Sequence, residues 1–155
     1  DWGIDYEEIP LILGDEASHE LEGSIASSAS FDLPTIDNSL EQDPSIKVLH
    51  VQRSCGYQWR PSISIAEIKR LCDHIERNYK AKGRDLIVFV DNCYGELVED
   101  QEPCHVGADL VAGSLIKNLG GTIAPCGGYV AGKAPYVTAA QVHLSAPGVE
   151  GGATL

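Results

Sequence analysis

Lys117 stands in the run "GADLVAGSLIKNLGG" (107–121), three residues after Ser114 and three before the pair Gly120-Gly121. A surface lysine needs no such setting, whereas a lysine that acts as a nucleophile must be desolvated. Asp91 closes a second apolar run, "DLIVFVD" (85–91). An acid at that position is expensive to bury unless a cation meets it. Taken alone, a loop cap or a salt bridge explains it equally well.

Together the amine, the acid and the Ser114 hydroxyl are a donor set for pyridoxal phosphate. That cofactor needs a lysine for a Schiff base, an acid to keep its ring nitrogen protonated, and donors for its phosphate. Lys117, Asp91 and Ser114 would fill these roles in that order. The assignment requires the two apolar runs to be neighbouring parallel strands, whose ends lie about 5 Å apart. Ligands of open α/β sheets collect at those carboxyl ends. For Lys117 also to move a proton, its amine must be neutral, which predicts a pKa lowered by burial and a nearby cation.

The surrounding pattern supplies such strands. "IKVLHVQ" (46–52) predicts a buried strand, and "DLIVFVD" predicts one buried on both faces. Between them, "SISIAEIKRLCDHIERNYKAKG" (62–83) predicts a helix: Ser64 can cap it, and Ile65, Ile68, Leu71, Cys72 and Ile75 recur at helical spacing. "PCHVG" (103–107) reads as one helical turn, "DLVAGS" (109–114) and "GGYVAG" (127–132) as further strands, and "PYVTAAQVHL" (135–144) as a helix. Strands alternating with helices indicate an α/β class with a mostly parallel sheet and crossover helices.

The first part of the chain reads differently. Residues 1–13 suggest a short helix broken by Pro10. Residues 14–45 are acidic and Ser-rich without a sustained period, which predicts a surface insertion lacking fixed structure. Residues 46–155 carry the α/β pattern. The net charge of −12 divides along the same line: twelve acidic and no basic residues to Ser45, then eleven of each sign. No basic patch is present, which argues against nucleic acid and anionic membranes as partners. No apolar run of about 18 residues suggests a membrane span. The five cysteines lack framework spacing, so we expect free thiols in a reducing, intracellular, cytoplasmic or organellar compartment. The chain starts at Asp1, which suggests that it begins inside a longer protein.

The stretch "VDNCYGE" (90–96) followed by "EPCHVGADLVAGSLIKNLGG" (102–121) resembles the Cys/Met-metabolism branch of the fold-type I pyridoxal phosphate enzymes. A closer resemblance is to the methionine gamma-lyase-like, or aluminium resistance protein, family. It is carried by "HVQRSCGYQWRPSISIAEI" (50–68), "DNCYGELVE" (91–99), "GSLIKN" (113–118), "APCGGYVAGK" (124–133) and "LSAPGVEGGATL" (144–155). Leu119, Thr122 and Cys126 depart from it, standing where proline, glycine and threonine are expected. The resemblance implies a central piece of a fold-type I large domain. Asp91, Asn92, Tyr94, Ser114 and Lys117 would then bind the cofactor, with Lys117 catalytic. It implies a carbon–sulfur lyase for sulfur amino acids of the cystathionine or methionine class, working by beta- or gamma-elimination in a homodimer or homotetramer. The loop "QRSCGYQWR" (52–60) holds Arg53, Tyr57 and Arg60. It reads either as surface packing or, by the resemblance, as part of the substrate cleft.

Two other motifs fail on chemistry. "GGYVAGKA" (127–134) lacks the hydroxyl residue a phosphate-binding P-loop needs after its lysine. Cys93, Cys104, His105 and Cys126 lack the paired spacing of a zinc site, so no metal is expected. Two alternatives to the lyase remain: a truncated, non-catalytic piece of the cofactor domain, and an interaction module working through its acidic first 45 residues.

Overall fold

A computed structural model describes residues 3–14 and 28–144. The described residues form a mixed α/β layer around a four-stranded sheet. Strands β3 (Val48–Gln52), β4 (Ile87–Asp91) and β5 (Leu110–Ser114) run parallel in that order, and β6 (Gly128–Gly132) returns antiparallel beside β5. The register sets Gln52 opposite Asp91 and Asp91 opposite Ala112, so the chemistry-bearing ends of β4 and β5 are neighbours. Before the sheet come strands β1 (Ile12–Leu13) and β2 (Ala29–Ser30), an antiparallel pair, and helix α1 (Leu33–Gln42). Helix α2 (Ile65–Asn78) crosses between β3 and β4, and helix α3 (Ala134–Leu144) follows β6.

Helix α2 follows the expected pattern. The Ser64 hydroxyl accepts from the Glu67 N–H at 3.2 Å, and Ile65, Ile68, Leu71, Cys72 and Ile75 are all buried. Glu67 does not close a reciprocal capping box. Its carboxylate accepts instead from the Phe31 N–H at 2.6 Å and from Arg70, stitching the segment before α1 onto α2. Burial then pushes the Glu67 carboxyl up, but the hydrogen bonds from Arg70 and Phe31 leave it lower than usual.

The acidic stretch is the main correction. Residues 15–27 lie outside the described residues, but 28–44 are not a loose surface insertion. Asp32 caps α1, accepting from Thr35 N at 3.1 Å and from its hydroxyl at 2.8 Å, and Pro34 sits in the first turn, where its missing N–H is harmless. Leu33, Ile36 and Leu40 recur at helical spacing, and Phe31, Ile36 and Leu40 join the core of α2 and the sheet. Asp37 anchors α1 further, accepting from the Tyr79 hydroxyl at 2.7 Å and bonding His74 at 2.7 Å. Residues 4–11 form no helix, and the chain enters β1 just beyond Pro10.

Burial of the strands is one-sided. Val88 and Val90 of β4 are fully enclosed beneath the helices, while Ile87, Phe89 and Asp91 on the opposite face are half-buried. Strand β3 is an edge strand with Val51 buried and Val48 48% exposed, not the buried strand expected. His50 stacks on Phe89 across this open face, with ring centroids 5.0 Å apart.

At the amino ends of the strands, Asp109 locks the layer. It accepts from the Val88 N–H at 2.7 Å and pairs with Lys80 at 2.5 Å and Lys133 at 2.6 Å. Lys133, the lysine of the P-loop-like motif, is thereby engaged at the pole opposite Lys117. The "PCHVG" turn forms as a 3-10 turn over Pro103–Val106, with His105 Nδ1 accepting from the Glu102 N–H at 3.0 Å. His105 is thus used as a cap, and among the described residues no cluster suits a metal ion.

Candidate active site

The carboxyl ends of β4 and β5 open into a shared mouth. Asp91, at the last position of β4, turns the chain by accepting from the Cys93 N–H at 3.0 Å. This is the cap that its position alone suggested. Ser114, at the last position of β5, accepts from the Ile116 N–H at 3.4 Å and so starts a π-helical turn over Leu115–Leu119. Lys117 sits in a kink inside that turn, with φ −103° and ψ −130°.

The glycine pair makes this turn possible. A Cβ on Gly120 would lie 2.6 Å from the Leu115 carbonyl oxygen, and one on Gly121 2.7 Å from that of Lys117. Any side chain there would force the lysine turn apart. The excursion is then fastened at both sides. Its base is held by the Leu115 N–H to Gly127 O bond at 3.0 Å. Its crest is held by Asn118, whose amide donates to the Glu96 carbonyl at 2.9 Å.

Lys117 and Asp91 face the same place. The Lys117 ammonium lies 4.5 Å from the centre of the Tyr94 ring, and Cys93 and Asp91 stand close enough to Lys117 to bear on its charge. The environment differs from the expectation of a desolvated, acidified lysine. The contact with Cys93 holds the Lys117 pKa above its ordinary value, and the Tyr94 and Asp91 side chains add to this. The side chain is only half-buried, and the lowering that burial brings is outweighed by these neighbours, so the ammonium is favoured. The Cys93 thiol is itself raised, chiefly by burial.

Behind the mouth lies a buried polar hub that sequence reasoning did not find. Arg53, 3% exposed, donates through Nη1 to Asn92 Oδ1 and to Gly95 O, both at 2.8 Å, and through Nε to Ile63 O. Its Nη2 pairs with Glu99 at 2.5 Å, and Glu99 in turn caps α2 by accepting from the Ile65 N–H at 3.0 Å. Asn92, 1% exposed, spends its Nδ2 on Glu102 at 2.8 Å and on the Tyr129 hydroxyl at 3.3 Å. The Tyr129 hydroxyl also donates to the buried Glu96 at 3.1 Å, and its pKa is pushed up to about 12, first by burial. Gly113 has no Cβ because Glu96 and Tyr129 occupy that space.

The residues expected to touch a ligand therefore separate into groups. Asp91, Ser114, Lys117 and Tyr94 line the mouth. Asn92 and Arg53 lie in the hub with their polar atoms engaged. Arg60 braces its own loop through the carbonyls of Gln52, Ser54 and Pro61, and Tyr57 projects into solvent. Glu96, Glu99 and Tyr129 gave no signal by type or spacing. Cys93, considered only as a metal ligand, had one clue: it lies two residues beyond Asp91 in the tight turn after the strand.

The chain as a whole is similar to known proteins. The model of the family described as methionine gamma-lyase matches residues 1–155. YnbB of Bacillus subtilis is 46% identical over 158 residues, covering 96% of this chain and 36% of that protein. A Clostridium acetobutylicum structure bears the provisional name cystathionine beta-lyase involved in aluminium resistance. It is 52% identical, with a TM-score of 0.71, over 78% of this chain and 28% of that one. The carbon-sulfur lyase involved in aluminium resistance from Clostridium novyi is 42% identical, with a TM-score of 0.70, over 82% of this chain and 29% of that one. The present sequence thus spans about a third of the length of its relatives, and it belongs to the methionine gamma-lyase family, beside the aluminium resistance lyases.

Proposed function

We propose that this chain is the cofactor-lysine segment of a pyridoxal phosphate-dependent carbon–sulfur lyase of fold type I, acting on sulfur amino acids of the cystathionine or methionine class. The observation that carries this reading is the meeting, at the carboxyl ends of the adjacent parallel strands β4 and β5, of the turn capped by Asp91 and the lysine turn, where the Lys117 ammonium lies 4.5 Å from the Tyr94 ring centre. The donor set suits the cofactor: an amine, a carboxylate and a hydroxyl meet at one mouth, with opposite charge where a pyridinium nitrogen would sit. Asp91 would hold that nitrogen, Ser114 the phosphate and Lys117 the aldehyde carbon. When bound, the cofactor supplies an electron sink for cleavage beside the substrate's amino carbon.

This chain's own residues supply the rest. Asp91 keeps one negative charge at the foot of the mouth. Lys117, once neutral, takes a proton from the substrate's alpha carbon through Nζ. The hub of Arg53, Asn92 and Glu99 fixes the β4 turn on which Asp91 and Cys93 sit. Exposed apolar side chains, Leu97, Val98, Ile116 and Ile123, ring the same pole. Their exposure supports coverage by the rest of a longer polypeptide or by a second subunit, hence a homodimer or homotetramer.

The test is covalent. The full-length polypeptide is mixed with pyridoxal phosphate, reduced with borohydride and mapped by mass spectrometry. The expected label is on Lys117, and a label confined to any other lysine overturns the reading. Release of keto acid from cystathionine by the cofactor-loaded polypeptide before reduction distinguishes a working lyase from a non-catalytic relative.

A further inference from the structure

Resting on that assignment of Lys117, we infer that Cys93 and Tyr94 are positioning residues that park the lysine as an ammonium across the mouth, beside Asp91, until an incoming ring displaces it. The geometry rests on three features. Tyr94 adopts φ +68°, a left-handed conformation that bulky residues avoid and that persists mainly where function requires it. That backbone turn directs its ring at Lys117, 4.5 Å from the ammonium. The Asp91 cap on the Cys93 N–H, at 3.0 Å, fixes Cys93 and Tyr94 in the turn beside the carboxylate.

The charges agree with parking. The groups that face Lys117 are the Cys93 thiol, the Tyr94 ring and the Asp91 carboxylate, and each favours the protonated amine. Cys93, kept as a thiol by its partial burial, is a neutral polar neighbour of both the ammonium and the carboxylate. Imine formation needs the opposite state. The ammonium first gives its proton to water, the neutral amine adds to the aldehyde carbon, and water then leaves as the C=N bond forms. A parked lysine therefore slows aldehyde capture at neutral pH and protects itself from stray electrophiles.

Competitive acylation of the cofactor-free, full-length polypeptide with acetic anhydride tests this. Lys117 reactivity is read by mass spectrometry across the alkaline range, with exposed Lys82 as the internal reference. Tyr94→Asn keeps a residue that tolerates the left-handed turn, and Cys93→Ala removes only the sulfur. Tyr94→Asn should raise Lys117 acylation at neutral pH by about two- to fivefold, the worth of one exposed cation–π contact, Cys93→Ala should change it in the same direction, and both should move its pH profile downward. Cys93→Ser, which retains a polar neighbour, should restore most of the original profile. Superimposable Lys117 profiles in all variants overturn the inference. Borohydride mapping of unacylated portions of the same proteins, after addition of pyridoxal phosphate, separates the two ideas. A shifted profile without a cofactor label on Lys117 defeats the cofactor assignment alone. A label with an unshifted profile defeats the parking alone.

Discussion

Arg53 Nη1 donates to Asn92 Oδ1 at 2.8 Å, which joins the loop after β3 to the turn after β4 inside the protein. An arginine with three forks engaged cannot be exchanged for a lysine of similar charge. We expect Arg53→Lys and Arg53→Ala both to destabilise the fold, the latter by about 2–4 kcal/mol, since Asn92, Gly95 O and Glu99 lose their donor. The lower half of that range allows for Glu99 being partly in water. Urea unfolding reads the effect, and an unchanged midpoint for Arg53→Ala would contradict the hub.

Leu40 is 2% exposed in the core that α1 shares with α2. Leu40→Ala should therefore cost about 2–5 kcal/mol. Removal of residues 14–44 should unfold the layer rather than trim a surface loop. A shortened chain with an intact cooperative transition would restore the insertion reading.

Thr122 lies at φ +69°, a conformation in which a β-branched side chain is strained. This explains why glycine is expected at that position. Asparagine tolerates the left-handed region without loosening the unfolded chain as glycine does. Thr122→Asn should stabilise by about 1 kcal/mol, measured as a higher unfolding midpoint with unchanged denaturant dependence.

Asp109 gives the acid response a defined sign. Burial raises its pKa, but hydrogen bonds from Lys133, Lys80 and the Val88 N–H outweigh burial and leave it lowered. The unfolded chain thus binds this proton first as pH falls, so stability from Asp109 is complete above the ordinary carboxylate value and disappears as pH drops through the lowered one. Asp109→Asn should be much less stable than the parent at neutral pH and converge with it in acid. Parallel stability–pH curves for the two would refute the clamp.

Much of the layer was legible because its signals are local and strong. Helix α2 announced itself by a serine cap and five apolar residues on one face, and β4, β5 and the lysine turn by apolar runs ending in polar residues. Helix α1 is harder to read although Asp32, Pro34 and the Leu33–Ile36–Leu40 spacing are proper signals, because the polar run of Asp37, Asn38 and Ser39, with Ser39 itself buried, dilutes the period. One-sided burial of β3 and β4 could not be read from their apolar runs, since an uncovered face and a covered one have the same composition. The raised lysine and the buried hub depend on contacts between Cys93, Tyr94 and Lys117, and between Arg53, Asn92, Glu99 and Tyr129. Such contacts exist only after the strands have been laid side by side.

Strand β6 reverses direction and brings Gly128 back opposite Ser114, so the segment bearing the amine leaves and re-enters the sheet at a single rung. A reagent mounted on a closed eyelet cannot drift with distant hinge motions of the molecule. Its travel is confined to the swing of four methylenes about a stationary anchor, and any conformational change elsewhere must reach the chemistry by moving the walls toward the amine.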